Sequence, residues 1–363
     1  MAIHKHVVYS LSIVKNEADI IESFVRHNIN IFDCMYIIDN GSFDNTVQIL
    51  ENMKKEGLSL HILHDDSIEF RQEYIMSKHL NAIFTEFHPD FVIPLDADEF
   101  IVHRDSHSDP RALIDQLDNN KVYFIKWRTY VPHYSDNISE LFVINRIKHA
   151  REDRYEDHFK VIIPKLIAQK HSVSLKMGNH DILTGRGSRR KICKEVLDDL
   201  RVAHFPVRSV EQIKSKVMVG WINYLCRHDK INGNAFHWQA IFEKIKNNSY
   251  IGPEDLTQLA MEYAFKKDPS VIAIEYNPVN LPFSNSIRML YTQPDNIFSL
   301  NYLLANCEII AMQYAKKTKD AGQITKVFRM IFDIIILKIK NIIRRINRLK
   351  PLNHIVQTFF LFS

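Results

Sequence analysis

The chain is short of glycine and of paired cysteine. Only 9 of its 363 residues are glycine. None builds a G-x-G-x-x-G after the first apolar run, and no G-x-x-x-x-G-K-[ST] occurs. The two glycine-cradled phosphate sites, dinucleotide and P-loop, therefore lose support. Cys34, Cys193, Cys226 and Cys307 are scattered without a C-x-x-C pair, which argues against a zinc ribbon or disulfide scaffold and for a reducing compartment. No uncharged apolar stretch reaches the roughly 18 residues of a membrane span. Met1-Ala2-Ile3-His4-Lys5-His6 leads straight into a strand-like run, without a secretory h-region. A formal charge of +4 implies no global attraction to polyanions, and there is no internal repeat. With 46% hydrophobic and 25% charged residues, the composition is that of a soluble globular protein of one large domain or two smaller ones.

What is present centres on Phe91-Val92-Ile93-Pro94-Leu95-Asp96-Ala97-Asp98-Glu99-Phe100. An apolar run closed by a charged cluster reads as a buried strand ending at solvent or a ligand. On a continuing strand Asp96 and Asp98 face the same side. They make a hard-oxygen pair suited to Mg²⁺ or Mn²⁺ carrying phosphates. Glu99 points the other way and fixes the loop. The competing reading is an acidic surface turn.

Upstream, Val7–Val14, Met35–Asp39 and Leu58–Leu63 read as strands, with helices after Lys15-Asn16-Glu17, after Asn40-Gly41-Ser42 and over Phe70–Phe87. The alternation β-α-β-α-β-α-β argues for a parallel, nucleotide-binding α/β sheet. Val122–Val131 and Phe159–Ile167 read as strands, Lys170–Asp181 as a strand pair and Arg201–Phe205 as a short strand. Gly185–Lys191 is a basic loop. From Val210 the pattern is helical. Between Ile324 and Lys350, apolar residues recur every 3 or 4 positions opposite Lys326, Arg329, Lys340, Arg344, Arg345 and Arg348. This predicts a basic amphipathic helix, followed by the apolar tail Thr358–Phe362.

Val14-Lys15-Asn16-Glu17-Ala18-Asp19, Asp39-Asn40-Gly41-Ser42-Phe43-Asp44-Asn45-Thr46 and Leu95-Asp96-Ala97-Asp98-Glu99-Phe100 resemble the signature blocks of family 2-like glycosyltransferases with a GT-A fold. The branch is the one with Lys-Asn-Glu and Asp-x-Asp-Glu-Phe blocks. The resemblance covers residues 7–105 well. It implies a Rossmann-like mixed sheet flanked by helices, with a helical C-terminal extension. The expected layout is a GT-A domain over 1–208 (nucleotide-sugar half 1–105, acceptor half 106–208), a helical region over 209–320, and the amphipathic helix and tail over 321–363. It further implies Mn²⁺ or Mg²⁺, and a donor pocket of Lys15, Glu17, Asp39, Ser42, Arg71 and Asp96. Asp39 faces the nucleoside, Asp96 the ribose and metal, and Asp98 the metal. Lys78 is the weaker companion of Arg71. A histidine completes such metal shells, and His204 and His180 are the candidates, His204 first.

A transferase that inverts the sugar needs a base for the acceptor hydroxyl. Asp157, in Glu156-Asp157, is the first candidate and Asp181 the second; salt bridging with Arg151, Arg154 or Lys160 is the alternative for Asp157. The terminal helix has three readings: an anionic membrane surface, packing on the catalytic domain, or a partner helix. The first suits a lipid-linked glycan acceptor in bacterial surface polysaccharide synthesis, with the enzyme cytoplasmic and peripheral on the inner face of the membrane. Two other functions stay open, a nucleotidyltransferase and a non-catalytic binder of sugar nucleotides or glycans. Nucleic acid is disfavoured, because the basic residues lie on an apolar-backed helix and not on an aromatic-interleaved sheet.

Overall fold

The computed structural model describes residues 6–65, 67, 71–104, 108–152, 158–185, 192–226, 236–247, 250–264, 273–279, 287–293, 299–321 and 334–341. Three β-α units open the chain: β1 (Val8–Val14), α1 (Ile21–Asn28), β2 (Cys34–Asp39), α2 (Thr46–Lys55), β3 (Leu60–His64) and α3 (Gln72–Glu86). Next come β4 (Phe91–Pro94), β5 (Glu99–His103), α4 (Pro110–Ile114), β6 (Lys121–Val131), α5 (Val143–Arg146) and β7 (His149–Arg151). They are followed by β8 (Phe159–Pro164), α6 (Lys165–Lys170), β9 (Val173–Leu175), β10 (Ile182–Thr184) and β11 (Cys193–His204). The C-terminal part holds α7 (Val210–Leu225), α8 (Phe236–Lys246), α9 (Leu256–Glu262), β12 (Ile274–Tyr276) and α10 (Ser299–Ala321).

The main sheet runs β12-β7-β6-β8-β4-β1-β2-β3. Strands β3, β2, β1 and β4 are parallel, as the alternation predicts. From β4 outward through β8, β6, β7 and β12 every pair is antiparallel, so the sheet is mixed. β11 lies parallel to β6 and antiparallel to β5. Neighbouring residues of a buried strand face opposite layers. Thus Ile37 of β2 joins the core of α1 and α2 with Phe24, Leu50 and Ile93, while Ile38 joins the α3 core with Ile75, Leu80 and Ile163. Both faces are dry, which is why these strands read as continuous apolar runs.

Several expectations are corrected. β4 stops at Pro94, and Asp96 to Asp98 form a turn into β5; the two aspartates do not share a continuing strand. The strand expected over Phe159–Ile167 ends at Pro164, where α6 begins. The strand pair is β9 with β10, antiparallel, so its second arm starts only at Ile182. The short strand at Arg201 is the end of β11, twelve residues long. β12 carried no strand signal in a region read as helical.

The chain divides into two compact units, Met1–Leu303 and Leu304–Ser363. Of the second, the described parts are most of α10 and a helix over 334–341, where Ile334, Ile335 and Leu337 are exposed. The rest of the expected amphipathic helix and its apolar tail lie outside the described residues, as does most of the basic loop. No described helix is long and apolar enough to cross a membrane.

Candidate functional site

The connection from β1 to β2 crosses one way, and the one leading to β4 returns on the other side of β1. The carboxyl ends of β1 and β4 therefore flank a topological switch point, where open α/β sheets bind ligands. Lys15-Asn16-Glu17 follows β1, and Asp96-Ala97-Asp98 follows β4.

The first two sequence blocks are laced together. Asn16 has φ 56°, and its side-chain oxygen accepts from the Phe43 N–H at 2.7 Å. Ser42 Oγ accepts from the Asn16 N–H at 2.9 Å, and Thr46 Oγ1 from the Glu17 N–H at 2.8 Å. Asp39 closes the same turn by accepting from the N–H groups of Gly41 and Ser42, each at 3.2 Å. Gly41 has φ +70° there, and a Cβ on it would lie 4.0 Å from Lys15 Nζ. Burial lowers the Lys15 ammonium pKa, Asp39 opposing.

Asp96 and Asp98 meet different cations. Lys160, wholly buried on β8, donates to Asp96 Oδ2 at 2.6 Å and lies 3.0 Å from Glu99 Oε2. Gln72 donates to Asp96 Oδ1 at 3.2 Å. Glu99 also accepts from the Asp96 N–H at 2.9 Å, so it fixes the turn as expected, but from the side of Asp96. Burial raises the Glu99 carboxyl well above its usual value, Lys160 opposing. Burial lowers and the two carboxylates raise the Lys160 ammonium, with a net rise.

Asp98 faces the start of α7. Lys216 donates to its Oδ2 at 2.6 Å, Arg208 stands 3.8 Å from the same oxygen, and His204 Nε2 lies 3.9 Å from Oδ1. Burial alone raises the Asp98 carboxyl; the Lys216 ammonium and the Arg208 guanidinium beside it hold it well below the carboxylate range. Burial pushes the His204 imidazole well below its usual value, which keeps it neutral, stacked on Trp127 at 4.1 Å. Arg208 is fixed from every side. It donates to Asp19 at 2.6 and 2.9 Å, to Glu17 at 2.7 Å and to the Phe205 carbonyl at 3.1 Å. Ser209 caps α7 by accepting from the Gln212 N–H at 3.2 Å, and Gln212 Oε1 accepts from the Arg208 N–H at 3.0 Å. Burial raises Glu17 to about 7, with Arg208 and Lys216 opposing it.

The structure thus gathers Lys15, Glu17, Asp39, Ser42, Asp96, Asp98 and His204 along one sheet edge. Arg71 and Lys78 are exposed on and before α3, and the neighbour of Arg71, Gln72, makes the contact to Asp96. His180 Nδ1 is 2.8 Å from the Phe159 carbonyl, and its ring packs against Gly178, where a Cβ would meet Nε2 at 2.4 Å. Asp181 accepts from Lys194 at 2.6 Å and Lys176 at 3.0 Å. Burial raises its carboxyl, but those lysines carry it below its usual value. Asp157 lies outside the described residues. The sequence reading missed Lys160, Lys216, Arg208 and Gln72 as site residues. A lone lysine inside the apolar run Phe159-Lys160-Val161-Ile162-Ile163 was the available signal for the first.

A divalent ion finds part of a shell here. Asp98 Oδ1 and His204 Nε2 face each other, an ionised carboxylate oxygen and a neutral imidazole, which suit Mn²⁺ or Mg²⁺. Asp96 is occupied by Lys160 and Gln72. Among the described residues no three His, Cys, Asp or Glu side chains converge on one point. The donor set fits an ion that draws its remaining ligands from water and a bound phosphate.

No protein-family model matches the chain, and no curated protein matches it. Among solved structures it is similar to a mannosyltransferase from Pyrobaculum calidifontis in complex with GDP-Man and Mn²⁺, at 11% identity over 90% of this chain and 83% of that one, with a TM-score of 0.36. Glucosyl-3-phosphoglycerate synthase from Mycobacterium tuberculosis, in complex with Mn²⁺, UDP and glucosyl-3-phosphoglycerate, is 14% identical over 34% of this chain and 44% of its own, at a TM-score of 0.22. GalNAc-T7 with UDP, GalNAc and Mn²⁺ is 11% identical over 73% of this chain and 55% of its own, at 0.34. This chain therefore spans less than two thirds of the latter two. At these scores the likenesses carry no weight beyond what the sheet order and side chains already establish.

Proposed function

We propose that the chain is a metal-dependent glycosyltransferase that takes a nucleotide-diphosphate sugar, a UDP-sugar first, and passes the sugar to a glycan or lipid-linked glycan with inversion. One observation carries the reading. At the switch point of the parallel strands, Asp98 turns a free carboxylate oxygen toward the neutral His204 while Lys216 and Arg208 stand beside it. A paired acid and imidazole ringed by cations suits a diphosphate and a divalent ion better than a neutral substrate.

In this reading Asp98 and His204 hold Mn²⁺ or Mg²⁺, with Asp96 toward the ribose. The ion, when bound, supplies positive charge to the leaving diphosphate. Asp39 faces the nucleoside, and Lys15 and Glu17 line its pocket. Lys216 reaches the phosphates. Asp157 takes the proton of the acceptor hydroxyl; the second candidate, Asp181, is held ionised by two lysines, which weakens it as a base. The basic helix beyond residue 321 lays the enzyme on the inner face of a bacterial membrane, where a lipid-linked precursor of surface polysaccharide is its acceptor.

The test is slow hydrolysis of UDP-sugars, followed as UDP release. It is expected to require Mn²⁺ and to vanish in Asp98→Ala. UDP that raises the melting temperature without any hydrolysis, in all sugars tried, would leave a binder and end the transferase reading. Partition of the 1–323 truncation between vesicles of anionic lipid and buffer tests the membrane clause; unchanged partition removes it.

A further inference from the structure

Two cations approach the same oxygen of Asp98, and they are not alike. Arg208 has a wholly buried side chain locked onto Asp19, Glu17 and the Phe205 carbonyl. Lys216 has a side chain 20% exposed. It holds Asp98 Oδ2 at 2.6 Å and lies over the Tyr263 ring at 5.5 Å. A lysine carries its charge on a flexible stem with three donors that turn freely, whereas a guanidinium bound in a fork does not move. One of the two is therefore fixed scaffolding, and the other can leave.

We propose that Lys216 is the built-in counter-ion of Asp98. It occupies the carboxylate in the ion-free enzyme, withholds it from a lone divalent ion, and turns to the diphosphate when ion and donor arrive together. The inference rests on the donor-site reading above and adds to it an order of loading. An ion approaching Asp98 Oδ1 meets an ammonium already on Oδ2 of the same group and a guanidinium 3.8 Å from it. Like charges at such range oppose each other strongly in a buried site. A diphosphate brings the negative charge that both cations lack, so Lys216 exchanges one oxyanion for another at little loss. The coupling is reciprocal: what makes the ion wait for the nucleotide makes the nucleotide bind more tightly with the ion.

The test reads ion binding directly and not turnover. Free Mn²⁺ is titrated by its paramagnetic resonance signal against the full chain, with and without UDP. Wild type is expected to bind Mn²⁺ weakly alone and about tenfold or more tightly with UDP, a range ordinary for coupled sites. Lys216→Met is expected to bind Mn²⁺ alone about tenfold more tightly than wild type and to gain little from UDP. Lys216→Gln, which keeps a donor for Asp98 without the charge, carries the same expectation and guards against a folding defect. Lys216→Arg, which keeps the positive charge, is expected to bind Mn²⁺ alone as weakly as wild type. Equal Mn²⁺ affinity of wild type and both neutral variants in the absence of UDP overturns the role of Lys216. Absence of Mn²⁺ binding in every variant even with UDP overturns the metal site itself, and with it the reading on which the inference rests.

Discussion

Arg208 and Asp19 form a two-pronged ion pair at 2.6 and 2.9 Å between residues 189 positions apart. It joins the entry of α7 to the segment after β1, and the Arg208 side chain is wholly buried. Removing the guanidinium leaves Asp19 and Glu17 without their cation in a dry place. Arg208→Met is expected to cost about 3–5 kcal/mol of unfolding free energy, read from urea denaturation at neutral pH. Arg208→Lys keeps the charge but cannot span both oxygens of Asp19 and the Glu17 carboxylate, so it is expected to fall between. A loss below about 1 kcal/mol in Arg208→Met would mean that the pair is solvated and holds nothing together.

Asn16 offers a finer test of the donor-side turn. It sits at φ 56° and accepts from the Phe43 N–H, so it supplies both a left-handed backbone and a bond. Alanine loses both, at roughly 1–2 kcal/mol for the backbone and about 1 kcal/mol for the bond. Glycine loses only the bond. Asn16→Ala is therefore expected to be the less stable of the two in chemical denaturation and to bind UDP more weakly. Equal losses would show that the backbone conformation is not what asparagine provides.

The parallel half of the sheet was legible because its signals are local: apolar runs, helical spacing and the Asn40-Gly41-Ser42 turn. Asp39, Asp96 and Asp98 could be placed at the sheet edge for the same reason. What could not be read was which cation each acid would meet. Lys160 lies 64 residues from Asp96, and Lys216 lies 118 from Asp98. Those pairings are set by the antiparallel register of β8 and by the way α7 leaves β11, and neither leaves a periodic trace. The expectation that Asp96 and Asp98 lie on one continuing strand failed for a local reason: a strand-period argument cannot see that the strand ends at Pro94. Arg208, at the entry of α7, finds its carboxylate partners Asp19 and Glu17 189 and 191 positions upstream, a pairing no local pattern announces.

Acidification is expected to unsettle the core through His27. Its ring is buried against Phe100 and contacts the Ile101 carbonyl at 2.7 Å. Burial lowers its pKa to about 4, with that carbonyl opposing. The unfolded chain binds this proton near pH 6.5 and the folded chain only near 4, so between those values the unfolded state holds more protons and stability falls as pH falls. The window is about 2.5 units, or an upper bound of about 3 kcal/mol at 1.36 kcal/mol per unit. His27→Gln, compared with wild type by urea denaturation from pH 7 to pH 4, is expected to show a shallower decline. Parallel curves would place the acid sensitivity elsewhere.

Glu22 makes the last case, because one side chain holds a whole segment. It is wholly buried on α1 and accepts from the N–H groups of Leu290, Tyr291 and Thr292 at 2.7, 2.9 and 2.7 Å. Arg26 donates to the same carboxylate at 2.8 Å. Burial alone raises the Glu22 carboxyl, but these four donors bring it below its usual value. Its contribution is therefore present above the unfolded carboxyl pKa and is lost as pH falls through the folded one. Three adjacent backbone donors converging on a single anion leave residues 290–292 dependent on that charge, since charge-assisted bonds are about twice as strong as neutral ones. Glu22→Gln keeps the size but puts an N–H where an acceptor is needed, so at least one backbone donor loses its partner. Hydrogen exchange followed by mass spectrometry at neutral pH is expected to show the peptide covering 287–293 exchanging at least about tenfold faster in the variant, the equivalent of about 1.4 kcal/mol of local opening, with the β1 and β2 peptides unchanged. If the segment exchanges at the wild-type rate, its docking comes from the packing of Met289 and Tyr291 on the core, and the carboxylate is only a passenger beneath it.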